Sequence, residues 1–211
     1  MKYEFEAYLS KTFPSSTINK RYSHGGEFQL RFELGHELSN GSKERVEQAT
    51  NRALEIFKDT FAIENEKLWL ISYEYIGELE MYKEDNLYFN TLLPISKSTV
   101  TQFESNIKNG TFIDGEEEDA MVKISIALIE KMELNIRLIF EGIANLEMGL
   151  NPAIPQRIYF YSTKTNNSFH MYDDRGCWVC SDSSKKLKPV FEKYNSWLVE
   201  CYRGEIEKQF E

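Results

Sequence analysis

From Glu27 to Leu34 apolar and polar residues alternate without a break: Phe28, Leu30, Phe32 and Leu34 fall on one side, Gln29, Arg31 and Glu33 on the other. A side-chain period of two marks a strand with one face buried, so this chain must build a sheet with a core beneath it. The next segment shows what covers that sheet. Asn40-Gly41-Ser42 supplies a turn and a helix N-cap, and Glu44 sits where it complements the helix dipole. Val46, Ala49, Ala53, Phe57 and Phe61 then recur at three and four residues, which predicts an amphipathic helix over 43–61. Leu68 to Tyr75 is a second, more buried strand, and the order strand, helix, strand favours a crossover unit.

The remaining segments are assigned by the same periodicities. A short helix over 2–13 stops at Pro14, and 15–26 is loop. Residues 78–93 form an irregular helix ending before Pro94. From Ile95 to Asp119 apolar residues are thin, and Gly110, Gly115 and the run Glu116-Glu117-Glu118-Asp119 mark an exposed, solvated loop. Strand character returns over 121–129, followed by a helix near 133–148 with Gly149 as its stop. Ile158 to Ser162 and Ser168 to Tyr172 form a hairpin, Asp173 to Gly176 a turn, and Cys177 to Cys180 a third short strand. Asp182 or Ser183 caps a final long helix whose apolar stripe runs from Leu187 to Cys201. The expected fold is one α+β domain over 1–211, with a mixed or antiparallel sheet covered by helices. Its C-terminal β-meander leads into the long amphipathic helix, and its sub-lobes 1–93 and 120–211 flank a loop-rich 94–119.

Four stretches carry a resemblance. The segment from Ile158-Tyr159-Phe160 through His170-Met171-Tyr172-Asp173-Asp174-Arg175-Gly176, and the run Leu187 to Leu198, resemble the bacterial domain-of-unknown-function family 3885. Arg31 to Gly35 and Ala53 to Phe57 resemble that family's N-terminal part. The resemblance implies a fold grouping and a bacterial cytosolic setting, and it brings no catalytic residue.

A formal charge of -9 disfavours nucleic acid as a partner, because neutralising phosphates takes a surplus of Lys and Arg. An acidic surface suits a basic protein partner, and also serves solubility. The acidic start, Met1-Lys2-Tyr3-Glu4-Phe5-Glu6, is unlike a secretory signal, and no run is long and apolar enough for a membrane span. With three cysteines, this points to a reducing cytoplasm.

The densest polar cluster is His170-Met171-Tyr172-Asp173-Asp174-Arg175-Gly176. As a turn, Asp173 would bond backbone amides, Arg175 would pair with a carboxylate, and Gly176 would take a positive φ. As a site, Asp173 and Asp174 could hold a divalent metal or act as acid and base, or the turn could meet a partner. Arg31 and Glu33 share the polar face of their strand and join His170, Tyr172, Asp173, Asp174 and Arg175 as candidate contact residues. Cys177-Trp178-Val179-Cys180 has the spacing of zinc and redox motifs but the context of a strand, and His170, Cys177 and Asp173 lack an oxyanion hole. No metal, cofactor or catalytic set is assigned. The expected function is a non-catalytic binding module, of the kind that neutralises a basic toxin as an immunity protein does. The alternatives are a metal-assisted hydrolase using Asp173 and Asp174, and a structural subunit of a homo-oligomer.

Overall fold

The structure, a computed structural model, describes residues 1–19, 26–76, 86–93, 100–113 and 116–211. Its centre is a seven-stranded sheet built from β1 (Phe28–Glu33), β2 (Lys67–Tyr75), β3 (Val100–Ile113), β4 (Glu116–Glu130), β5 (Arg157–Ser162), β6 (Asn167–Asp173) and β7 (Gly176–Ser181). The spatial order is β1-β7-β6-β5-β2-β4-β3, and every neighbouring pair is antiparallel. The helices are α1 (Lys2–Thr12), α2 (Lys43–Thr60), α3 (Asn86–Leu92), α4 (Ile136–Met148), α5 (Ser184–Lys193) and α6 (Arg203–Glu207). The fold is α+β, as the alternation of periods predicts. None of the described helices is long and apolar enough to cross a membrane.

The strand, helix, strand order does produce a crossover, though a wide one. Antiparallel steps through β7, β6 and β5 leave β1 and β2 running the same way. Helix α2 carries the chain over those three strands, which the C-terminal meander supplies later. Ser42 caps α2 by accepting the Arg45 N–H at 3.2 Å.

Two apolar cores lie against the sheet, one per face. On one face α2, α4 and α5 pack on Leu30, Phe32, Leu70, Phe160, Phe169, Met171, Cys177 and Val179. Phe57 of α2 sits at its centre, edge-on to Phe140, Phe160 and Phe169 at 5.2–5.5 Å between centroids. On the other face Phe5, Leu9 and Phe13, from α1 and the residue after it, pack on Trp69, Ile71, Tyr161 and Ile126. Residues 122, 124 and 126 face this second core, in keeping with the predicted one-sided strand.

Three expectations change. The loop expected over 95–119 is largely a long hairpin, since β3 and β4 pair from Val100↔Ala127 to Ile113↔Glu116, with 94–99 and 114–115 outside the described residues. The acidic run is therefore strand, which hydropathy does not reveal because backbone pairing needs no apolar residue. The helix expected over 78–93 is described only as α3, because 77–85 also lie outside. The final apolar stripe is not one helix. α5 ends at Lys193, short 3₁₀ turns follow at Asn195–Trp197 and Glu200–Tyr202, and Leu198 drops into an extended bridge with Phe32 of β1.

That C-terminal course closes the β1 edge of the sheet. The Gln29 N–H donates to Gln209 Oε1 at 2.8 Å, and Gln209 Nε2 donates back to the Gln29 carbonyl at 3.3 Å. Val199 N–H donates to the Arg31 carbonyl at 3.0 Å, and Arg52 reaches the Glu33 carbonyl at 3.3 Å. Backbone groups that would attract a foreign strand are thus taken by the chain itself.

Candidate functional site

One row of side chains crosses the sheet on the α1 side. Register places Arg31 of β1 beside Trp178 of β7, and Trp178 beside His170 of β6. His170 stacks on Tyr159 of β5 with ring centroids 3.9 Å apart, and Tyr159 is paired with Ile71 of β2 in the α1 core. The row therefore grades from a cation at the sheet edge, through aromatic rings, into hydrocarbon.

Arg31 is its polar end. Its Nε and Nη2 donate to the Tyr172 hydroxyl oxygen at 3.3 and 3.2 Å. The rings of Tyr172, Trp178 and Tyr202 stand 5.3, 5.1 and 4.8 Å from its central carbon. These are cation–π distances, and rings on several sides hold the guanidinium plane in place. Among the described residues no carboxylate pairs with Arg31; burial works to lower its pKa, and Tyr172, Tyr202 and Cys201 outweigh it and raise it. It is half-buried, as are Tyr172, Trp178, Tyr202 and His170.

His170 is held neutral. Its Nδ1 lies 2.8 Å from the Ile158 carbonyl, which can only accept, so the proton sits on Nδ1 and Nε2 keeps its lone pair. Burial pushes its pKa down to about 3; the Ile158 bond resists this, and the nearby Arg157 charge adds to it. Burial likewise raises the Tyr172 hydroxyl, against the pull of Arg31.

The Asp173 to Gly176 turn is mostly buried. Asp173 accepts the Arg175 backbone N–H at 2.8 Å and its Nε at 2.9 Å, as a turn-forming aspartate should. Asp174 is fully buried and bound to Arg45 of α2, which also donates to the Leu38 carbonyl at 2.7 Å. Only Arg175, with 65% of its side chain exposed, projects to solvent. Gly176 does not have a positive φ. It is glycine because a Cβ there would lie within 2.5 Å of both the Tyr172 hydroxyl and the Phe32 carbonyl oxygen. Glu33 is taken up locally, its carboxylate 3.1 Å from His36 Nδ1.

Strand geometry also separates the other candidate chemistries. Cys177 lies in the helical core while Cys180 lies on the α1 side, so the two thiols cannot converge. Burial pushes the Cys177 thiol well up and Cys180 to about 11. His170 and Cys177 are on opposite faces as well. Two lysines of α5 find acidic counterparts within the chain: Lys186 on Asp182 at 2.6 Å and Lys193 on Asp59 at 2.7 Å.

Of the sequence candidates, then, the structure brings Arg31, His170 and Tyr172 together and leaves Asp173, Asp174, Arg175 and Glu33 in local pairs. Trp178, Tyr159 and Tyr202 complete the row. The first two were available from strand alternation, which puts Trp178 and Tyr159 on the His170 side. Tyr202 arrives through the chain reversal after α5, and no local pattern announces it.

A family model described as "Domain of unknown function (DUF3885)" matches residues 5–202. The chain belongs to this family. DUF3885 membership thus spans nearly the whole chain and includes every residue of the row, Tyr202 being the last residue matched. A relative, "Uncharacterized protein YnaE" of Bacillus subtilis (strain 168), is 37% identical over 43 residues, which is 20% of this chain and 20% of that protein. No solved structure matches.

Proposed function

We propose that this DUF3885 protein is a binding module that engages a basic protein partner through the β1–β7–β6 face, in the manner of an immunity protein blocking a toxin. The observation that carries the reading is the half-buried row Arg31, Trp178, His170 with Tyr172 and Tyr202. Trp, Tyr and Arg are the residues that dominate interface energetics, since they offer large area at low entropic cost. The charge of -9 steers a basic partner toward the molecule. The hydrolase alternative draws less support: Asp173 and Asp174 are each engaged by a different arginine instead of converging in a cleft.

The test is capture from the native cell with immobilised wild-type protein beside Trp178→Ala and Tyr202→Ala, each first shown to melt cooperatively. A basic protein retained by the wild type, lost from the variants and weakened by added salt is the expected result. A partner held equally by all three proteins would place the interface elsewhere and sink the proposal.

A further inference from the structure

We infer that Arg31 is the receptor for a carboxylate carried on the partner, which rests on the reading of the β1–β7–β6 face as the binding surface. Arginine has five N–H donors in a rigid fork matched to a carboxylate. Here two of its nitrogens share one phenol oxygen, and Nη1 makes no hydrogen bond among the described residues. A half-buried cation flanked by rings, with no carboxylate partner among the described residues, is poorly screened and its plane is already set. An incoming carboxylate meets little reorganisation cost there.

The rest of the molecule restricts where that carboxylate can come from. A body of charge -9 repels free anions, so the group must arrive on something cationic or neutral overall. The acidic surface attracts the partner, and Arg31 then fixes its register by demanding one negative group at one place. His170 Nε2, two strands further along the row, adds an acceptor for an N–H of the same partner.

The probes are an oligolysine peptide ending in a free carboxylate, the same peptide amidated, and sodium acetate at constant ionic strength. The readouts are the Arg31 Nε–H and Trp178 indole N–H resonances. The amide carries one more positive charge net, so long-range attraction to this acidic protein favours it; a preference for the acid can come only from a local contact. The acid peptide is expected to shift both resonances and bind about tenfold more tightly than the amide. Acetate should move them only at far higher concentration. Arg31→Gln should abolish the preference, and Arg31→Lys, which keeps the charge without the fork, should lose most of it.

Equal or tighter binding of the amide to the wild type overturns the inference without recourse to any variant. So does a preference that survives in Arg31→Gln, and acetate acting at peptide concentrations would reassign the site to free anions. The two readings fail separately. A captured partner whose binding depends on Trp178 but not on Arg31 leaves the face standing and removes the carboxylate, whereas dependence on neither removes both.

Discussion

Arg45 on α2 and Asp174 in the β6–β7 turn form a buried ion pair, with the Asp174 side chain 1% exposed and its Oδ1 without a hydrogen-bond partner among the described residues. The pair ties α2 to a hairpin that follows it by well over a hundred residues. Removing one partner strands a charge in a dry site, which costs about 3–5 kcal/mol. Asp174→Ala is therefore expected to lower the urea midpoint sharply, while Arg45→Met with Asp174→Leu should recover much of the loss. A near-neutral Asp174→Ala would mean the turn does not depend on this pair.

Gly176→Ala should destabilise by about 1–3 kcal/mol through overpacking, since the new methyl meets Tyr172 and the Phe32 carbonyl. The cause can be separated from backbone conformation. Adding Tyr172→Phe removes the nearer atom and should return part of the stability, which a φ-based penalty would not allow. Gly41, at φ 79° with open space around it, is the opposite case: Gly41→Ala should cost about 1 kcal/mol with no rescue by any neighbour.

The low pKa of His170 makes stability depend on pH with a definite sign. The unfolded chain protonates this ring near its ordinary 6.5, the folded one only near 3, so between those values the unfolded state binds more protons. Its contribution is full above about pH 6.5 and is lost progressively as the pH falls toward 3. Denaturant midpoints measured across that window should slope less in His170→Gln than in the wild type. Nitrogen NMR of His170 should show the Nδ1–H tautomer unchanged from pH 8 to 5; a titration near 6.5 would contradict the assignment.

Closure of the β1 edge predicts a local effect and a global one. Gln209→Ala removes two hydrogen bonds to Gln29 and should cost about 1–2 kcal/mol, with faster hydrogen exchange at the Gln29 amide. Deleting residues 183–211 takes away buried Leu187, Val190, Tyr194, Leu198 and Ile206 and should abolish a cooperative melt. A truncated chain that still melts cooperatively would show this segment to be dispensable.

The elements legible in the sequence are those whose burial is one-sided. Alternation in 28–33 and the three-four spacing from Val46 to Phe57 locate β1 and α2, because each side-chain pattern records which face meets the core. The β3–β4 hairpin is illegible over its acidic end, because a backbone ladder leaves no mark in hydropathy. At the candidate site, Arg31, His170 and Tyr172 were recognisable as polar residues on strands. The burial of Asp174 was not, since it depends on Arg45 reaching over from α2, and Gly176 was given the wrong physical reason because a close approach leaves no local signature.

A sheet that copies itself by edge pairing needs two open ends to make a fibre. Here Gln209, Val199 and Arg52 occupy one of them, leaving at most the β3 side for another strand. Strand addition at β1 would first have to displace Val199 and Gln209, so the segment after α5 also acts as a guard against edge-to-edge pairing on that side.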